Sequence, residues 1–185
     1  MSNIKLNKGK ILIAEPSILN DSSFNRTVIL LTEHNLEGSV GFIINKPSNY
    51  TIVDLIPDIK SNHKVYNGGP VSEDNLYFIH RIPNLIPNSI AIGDGIYWAG
   101  DFQKVKELLE ANTVNENDIR FFLGYSGWSN KQLNDEVKKT SWLIKENDYS
   151  NILSIVPDSF WRNEIIKAGG EYQIWANSPE NPSLN

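Results

Sequence analysis

The chain has 185 residues, of which 40% are hydrophobic and 21% charged, and this composition excludes collagen-like, low-complexity and wholly disordered proteins. Seventeen Lys and Arg against 22 Asp and Glu give a formal charge of −5, so the chain as a whole does not attract nucleic acid or anionic lipid. The absence of cysteine excludes disulfides, thiolate metal sites and a thiol nucleophile.

The length of the chain and the absence of a long linker predict one domain over residues 1–177. Residues 178–185, where Pro, Asn, Ser and Glu dominate, are predicted to form a loose tail. The apolar run Ile11 to Ala14 is too short for a signal peptide, and no run approaches the ~20 apolar residues of a membrane span. We therefore expect a cytoplasmic protein with no membrane association.

Short apolar runs separated by Gly, Pro and Asn are typical of strands and turns. Runs rich in β-branched and aromatic residues predict strands at residues 11–14, 27–32, 40–44, 64–66, 76–80, 89–92 and 120–124. The turn from Asn35 to Gly38 favours a hairpin between the second and third strands, because Asn and Gly tolerate positive φ.

Helix signals are fewer and lie at residues 52–56, 101–113, 129–137 and 157–170. Asp101 is a suitable N-cap, Ser129 and Gln132 match a capping box, and Gly169-Gly170 is a stop signal. Strands interleaved with a few helices, without regular βαβ alternation, predict an α+β fold with a mixed sheet.

The first candidate site joins polar residues at the ends of neighbouring predicted strands: Arg26, Glu33, His34, Asn45 and Lys46. Such a set can bind an anion or carry acid–base chemistry. Glu33 and His34 are adjacent, so in an extended strand they point to opposite faces and do not form a simple His–carboxylate pair. A strand-end histidine that is hydrogen-bonded to a turn is the alternative interpretation.

The second candidate is Asn67-Gly68-Gly69-Pro70, directly after a predicted strand. Two glycines allow successive N–H groups to turn inward and hold a carboxylate or phosphate. A tight turn uses the same residues equally well. The segment lacks the ending of a P-loop, and no G-x-G-x-x-G occurs in the chain, which argues against nucleotide binding by a known loop.

The third candidate, Gly124-Tyr125-Ser126-Gly127-Trp128, invites comparison with the nucleophile elbow G-x-S-x-G. The second glycine of that motif is replaced by Trp128, which the crowded turn of an elbow does not accommodate. We therefore assign no nucleophile to Ser126, and we expect Tyr125 and Trp128 to pack a turn or line a pocket.

The chain contains no recognisable metal-binding motif. His34, His63 and His80 are scattered, and no H-x-x-x-H or H-E-x-x-H spacing occurs. We expect no bound metal and no cofactor.

Several short strings occur in order along the chain: Gly9-Lys10-Ile11-Leu12-Ile13-Ala14-Glu15-Pro16, Asp21, Phe24, Arg26-Thr27-Val28, Glu33-His34-Asn35, Gly38, Gly41, Asn45-Lys46-Pro47, Gly68-Gly69-Pro70-Val71, Gly124-Tyr125-Ser126-Gly127-Trp128 and Gln132-Leu133. Over about residues 9 to 175 this series resembles the AlgH or YqgE family of bacterial proteins. Each string alone is nonspecific, but their order and spacing together carry the resemblance.

The resemblance implies an α+β fold in which a bifurcated, mixed sheet curls into a pseudo-barrel with helices packed outside. Members of that family are commonly labelled regulators of transcription, and no defined reaction comes with the family. This chain departs from the family pattern at Ser126, where Ala is usual, and at Asn130-Lys131, where a Gly usually precedes Gln-Leu.

Our leading hypothesis is a regulator of gene expression that acts through a small anionic ligand or a protein partner. The candidate ligand-binding residues are Arg26, Glu33, His34, Asn45, Lys46, Gly68, Gly69, Tyr125 and Trp128. The acidic charge and the lack of a helix-turn-helix signal argue against direct DNA binding. The alternative is a metal-independent hydrolase built on His34 and Gly68-Gly69, which requires His34, Asn45 and the Gly68 amide to border one cavity.

Overall fold

The computed structural model describes residues 5–16, 22–93, 95–147, 150 and 152–177, and the predicted tail at 178–185 lies outside them. The described strands are β1 (Ile11–Ala14), β2 (Val28–His34), β3 (Gly38–Ile43), β4 (Pro47–Thr51), β5 (Lys64–Asn67), β6 (Val71–His80), β7 (Ile90–Gly93), β8 (Ile96–Trp98), β9 (Ile119–Ser129) and β10 (Trp142–Lys145). The described helices are α1 (Ile52–Leu55), α2 (Phe102–Glu110), α3 (Gln132–Lys138), α4 (Pro157–Ala168) and α5 (Tyr172–Ala176).

The strands form one connected sheet in the order β10-β1-β2-β3-β9-β6-β8-β7, with β4 and β5 branching from it. The described strand pairs are antiparallel except β5 with β9, so the sheet is mixed and the predicted α+β class is confirmed. Because β10 and β7 lie at opposite ends of this order, the sheet is not closed into a barrel, and the helices lie at its edge.

Strand β9 is the point where the sheet divides. Its second half pairs with β3, from Gly41 opposite Ser126 to Gly38 opposite Ser129. Its first half lies between parallel β5 and antiparallel β6, with Phe121 opposite both Val65 and Phe78. This arrangement is the bifurcated sheet that the family resemblance implies.

The segment Gly124-Tyr125-Ser126-Gly127-Trp128 continues this strand and is not the turn that the sequence suggested. The two glycines obscured the strand signal, because glycine is depleted from ordinary strands. Three further strands, namely β4, β8 and β10, were likewise not predicted, because each is too short to show a clear periodicity.

The helix signals are largely confirmed. The Asp101 carboxylate accepts hydrogen bonds from the backbone N–H groups of Gln103 and Lys104, at 2.9 and 3.2 Å, and so caps α2. Helix α3 begins two residues later than the capping-box pattern indicated, and its N-cap is Lys131 in a left-handed conformation with φ of 63°. Ser129 instead donates from its backbone N–H to the Gln132 side chain at 3.0 Å.

A buried arginine joins the sheet to the segment that precedes α4. The Arg120 guanidinium donates to the carbonyl oxygens of Ile44 and Leu153, at 3.0 and 2.7 Å, and lies 4.3 Å above the centre of the Tyr66 ring. Burial lowers the pKa of Arg120, although nearby Tyr66 and Glu116 act in the opposite direction. This contact fixes Leu153 and its neighbour Ile152 against the core.

Candidate functional site

The backbone of the Gly68-Gly69 turn crosses strand β9 at close range. A Cβ on Gly68 would lie 2.3 Å from the Gly124 oxygen, and one on Gly69 would lie 2.3 Å from the Tyr125 carbonyl carbon. Both glycines are therefore required by backbone packing. We call this place the glycine crossing, made of Gly68, Gly69 and Gly124.

The polar groups of the crossing are used inside the sheet. The Gly68 N–H donates to the Leu123 oxygen at 2.7 Å, and the Gly68 oxygen accepts from the Ile43 N–H at 2.9 Å. The hydroxyl of Ser126, which is fully buried, also donates to the Gly68 oxygen, at 3.1 Å. The Gly68 amide is therefore not the anion donor that the sequence suggested, and Ser126 is closed to a substrate.

A cleft of about 510 Å³ opens beside the crossing. Gly69, Asn67 and Lys46 line it, so two of the predicted site residues share this cleft. Glu73 lies in the same lining and opposes the charge of Lys46. The cleft is thus polar and mixed in charge, which gives it no preference for an anion.

The side-chain amide of Asn45 is hydrogen-bonded to backbone groups. Its Oδ1 accepts from the Val28 N–H at 2.8 Å, and its Nδ2 donates to the Arg26 oxygen at 3.0 Å. Because Asn45 is also buried, its amide holds the entry to β2 in place. The Arg26 guanidinium lies 5.1 Å above the Trp161 ring of α4.

Glu33 and His34 point to opposite faces of the β2–β3 hairpin, as their adjacency predicted. Glu33 lines a shallow hollow of about 400 Å³ together with Tyr125 and Trp128. His34 lines a different hollow, and its Nδ1 lies 2.7 Å from the Ser39 hydroxyl. Burial lowers the pKa of His34 below its usual 6.5, so the imidazole is neutral at pH 7.

The hollow beside His34 has a cationic lining. It measures about 640 Å³, and we call it the hairpin hollow. Its lining consists of Lys5, Leu6, Asn7, His34, Asn35, Leu36, Asn130, Lys131, Asn134, Asp135 and Lys138. Three lysines against one aspartate leave two net positive charges in a chain whose formal charge is −5.

An aromatic cluster holds α3 against the hairpin and so positions this hollow. The indole N–H groups of Trp128 and Trp142 both donate to one oxygen of Glu136, at 2.9 and 2.8 Å. The Phe24 ring packs against both indoles, with centroids 6.3 and 5.6 Å away. Trp128 is therefore an anchor beneath α3, and most of its surface is unavailable to a ligand.

The structure does not bring the predicted site residues into one cavity. His34 pairs with Ser39 near the start of β3, whereas the Gly68 oxygen meets Ile43 at its end. Four residues of strand separate these points by about 13 Å. His34 and Gly69 line different hollows, and Asn45 lines neither, so the hydrolase alternative lacks its required geometry.

Sequence reasoning missed the lysines of the hairpin hollow, since Lys5, Lys131 and Lys138 belong to no motif. The one available signal was Asn130-Lys131, where the chain departs from the family pattern. Among the described residues, no group of three or more His, Asp or Glu is placed to hold a metal ion. None of the helices within those same ranges is long and apolar enough to cross a membrane.

Comparison with known proteins matches residues 11–173 to the model of a family described as AlgH-like. The chain belongs to the AlgH-like family. A UPF0301 protein of Cytophaga hutchinsonii is 41% identical over 182 residues, which cover 97% of this chain and 100% of that protein. This similarity extends the family match over almost the whole chain.

Two solved structures share the fold of this AlgH-like chain. The AlgH protein from Pseudomonas aeruginosa superimposes with a TM-score of 0.71 at 24% identity, covering 97% of this chain and 98% of that one. A Corynebacterium diphtheriae protein gives a TM-score of 0.77 at 19% identity, covering 96% and 95%. At these identities the two structures establish the fold alone.

Proposed function

We propose that this AlgH-like protein is a cytoplasmic regulator of gene expression that binds an acidic segment of a protein partner in the hairpin hollow. The observation that carries the proposal is the net positive lining of this hollow in an otherwise acidic chain. A local cationic surface on an acidic protein attracts acidic groups and repels basic ones, and it steers association.

The individual side chains favour an anionic partner. Lys138 forms an exposed ion pair with Asp135 at 3.1 Å, which contributes little because solvent screens it. Lys5 and Lys131 are exposed and add two further ammonium groups, while the side chain of Asn130 adds amide donors. The hollow therefore offers several hydrogen-bond donors to carboxylates.

Leu36 favours a protein segment over a free small anion. It lies at the tip of the β2–β3 hairpin, lines the hollow and is 89% exposed. A peptide with an apolar side chain between acidic residues can cover Leu36 while its carboxylates meet the lysines. The open shape of the hollow suits such a segment.

The backbone at Lys131 supports a role for its side chain. The φ of 63° places Lys131 in the left-handed region, which costs a residue with a Cβ roughly 1–2 kcal/mol. Lys131 is one of seven non-glycine residues with a positive φ in the described part of the chain, and residues strained in this way cluster at functional sites. At Lys131 this backbone conformation places the side-chain ammonium group at the edge of the hollow.

The test is binding of a fluorescein-labelled peptide of alternating Glu and Leu, measured by anisotropy at low and at physiological salt. We expect binding that weakens as salt screens the lysines, and the double variant Lys5→Glu/Lys131→Glu should weaken it at least about tenfold. The pair Lys60→Glu with Lys64→Glu is the matched control, because it makes the same charge change at two exposed residues outside the hollow. It should bind as the native chain does.

Equal binding by the native chain and the double variant would overturn the proposal. The same assay with labelled duplex DNA separates direct DNA contact from partner binding, since DNA binding by lysines has a steep salt dependence. We expect no DNA binding at physiological salt. To test regulation, transcript levels of cells that carry the double variant would be compared with those of cells that carry both Lys60→Glu and Lys64→Glu.

A further inference from the structure

A second, more enclosed pocket lies between the sheet edge and α4, away from the hairpin hollow. It measures about 160 Å³. Ile11 of β1, Ile152, Ile155 and Phe160 form an apolar wall, and Ile11 and Ile152 are themselves almost fully buried. We call it the α4 pocket. An apolar pocket with a few converging polar groups is the usual form of a small-molecule site.

The polar side of the α4 pocket carries two lysines and two glutamates. Glu164 is buried and accepts hydrogen bonds from Lys145 and from Lys167, the latter at 2.6 Å. Burial acts to raise the pKa of Glu164, but the hydrogen bonds from the two lysines outweigh it and lower this pKa, so Glu164 is a carboxylate at pH 7. Glu146, also in the lining, is paired with Lys10.

Each lysine retains hydrogen-bonding capacity. An ammonium group has three donors, and the contact with Glu164 uses one donor of each lysine. Because Glu146 is paired with Lys10, the two ammonium groups that face Glu164 leave one positive charge without a counterpart. The charge in the pocket therefore favours the binding of one more anionic group.

Asn147 supplies an independent signal. Its Nδ2 is buried and has no hydrogen-bond partner among the described residues. A buried donor without an acceptor costs about 1–3 kcal/mol, so a group at this position is stabilised by any ligand that brings an oxygen to it. Asn147 lines the α4 pocket together with both lysines.

We propose that the α4 pocket binds a small carboxylic acid with a short aliphatic chain. Its carboxylate receives hydrogen bonds from Asn147, Lys145 and Lys167, and its chain packs on Ile152 and Phe160. At about 30 Å³ for each water-sized group, the pocket holds roughly five such groups, which is close to the size of an acid of three to four carbons with its two carboxylate oxygens. The site is separate from the hairpin hollow, and the proposal does not depend on partner binding there.

The test is a ¹H–¹⁵N NMR titration of the full chain with sodium butanoate, at ionic strength held constant with sodium chloride. We expect saturable shifts of the Asn147 side-chain amide and of the Ile152 backbone amide, with a dissociation constant on the order of 1 mM for so small a ligand. Butanamide, which has the same shape without the charge, should bind at least about tenfold more weakly.

Asn147→Asp replaces the donor with a carboxylate of nearly the same shape, and we expect it to weaken butanoate binding at least about tenfold. Asn163→Asp makes the same change on the exposed side of α4 and should leave binding unchanged. The proposal is overturned if butanamide binds the native chain as tightly as butanoate, or if the Asn147 amide shows no saturable shift. It is also overturned if Asn147→Asp binds butanoate as the native chain does.

Discussion

The glycine crossing and the hairpin hollow lie at opposite ends of β3 and differ in how their polar groups are used. At the crossing, the Gly68 N–H, the Gly68 carbonyl and the Ser126 hydroxyl all have hydrogen-bond partners within the protein. At the hollow, Lys5 and Lys131 extend into solvent. The crossing therefore contributes to stability, and the hollow offers groups that a partner can bind.

The largest expected effect tests the crossing. Gly68→Ala places a Cβ 2.3 Å from the Gly124 oxygen, and two backbones must separate to accept it. We expect the free energy of unfolding to fall by at least about 3 kcal/mol, measured by urea denaturation. Since we propose one domain over residues 1–177, tryptophan fluorescence and circular dichroism should report one coincident transition.

Gly170→Ala is the control for that substitution. Gly170 has a φ of 59°, but a Cβ there meets nothing within 4 Å. Only the backbone strain remains, so the loss should be about 1 kcal/mol. Similar losses at Gly68 and Gly170 would show that crowding at the crossing does not matter.

The dependence of stability on pH allows a second comparison, between buried His80 and partly buried His34. Fully buried His80 accepts a hydrogen bond from the Ile82 N–H at 3.3 Å, and its Nε2 lies 2.9 Å from the Ser89 hydroxyl. Burial lowers the pKa of His80 to about 4, although the hydrogen bond to Ala99 acts to raise it. The unfolded chain therefore takes up this proton first, and stability falls as the pH drops from 6.5 towards 4.

The loss over this window should be about 2–3 kcal/mol, measured by urea denaturation at a series of pH values. His80→Gln should flatten the curve between pH 4.5 and 6.5, where carboxylates contribute least. His34→Gln should change it less, because His34 is only partly buried. If the two variants have the same slope, the burial of His80 does not control the acid sensitivity.

Asn45 tests whether a predicted ligand residue is structural. Asn45→Ala leaves the Val28 N–H and the Arg26 carbonyl without their partners, and we expect the free energy of unfolding to fall by about 2 kcal/mol. Asn45→Asp keeps the acceptor for Val28 but sets a buried carboxylate against the Arg26 carbonyl, so it should lose at least as much. Peptide binding at the hairpin hollow should be unchanged in both, and weakened binding would place Asn45 in the binding site after all.

Much of the fold was predictable because its signals are local. The Asp101 cap, the Gly169-Gly170 stop and the turn from Asn35 to Gly38 depend on a few neighbouring residues, and the structure has all three. The extension of β9 through Gly124 to Ser129 was not predictable in this way. It depends on a crossing with Gly68 and Gly69, which are more than fifty residues away along the chain.

The candidate site was less predictable than the fold. Gly68, Ser126 and Asn45 belong to recognisable strings and were therefore candidates. In the structure their polar groups form hydrogen bonds within the protein backbone packing. Lys5 and Lys131 come together only because the N-terminal segment and α3 meet at the hairpin. Charge gathered from distant segments leaves no motif in the sequence.

The smallest expected effect separates stability from binding at a single residue of the hollow. Lys131→Gly removes the left-handed strain and should raise the free energy of unfolding by up to about 1 kcal/mol, although the flexibility of glycine in the unfolded chain offsets part of this gain. Lys131→Ala keeps the strain and should leave stability nearly unchanged. Both variants lack the ammonium group, so both should weaken binding of the Glu-Leu peptide equally. If the glycine variant is no more stable than the alanine variant, Lys131 is unstrained and its conformation carries no argument for function. A stable glycine variant that binds the peptide normally would instead remove this ammonium group from the proposed interaction.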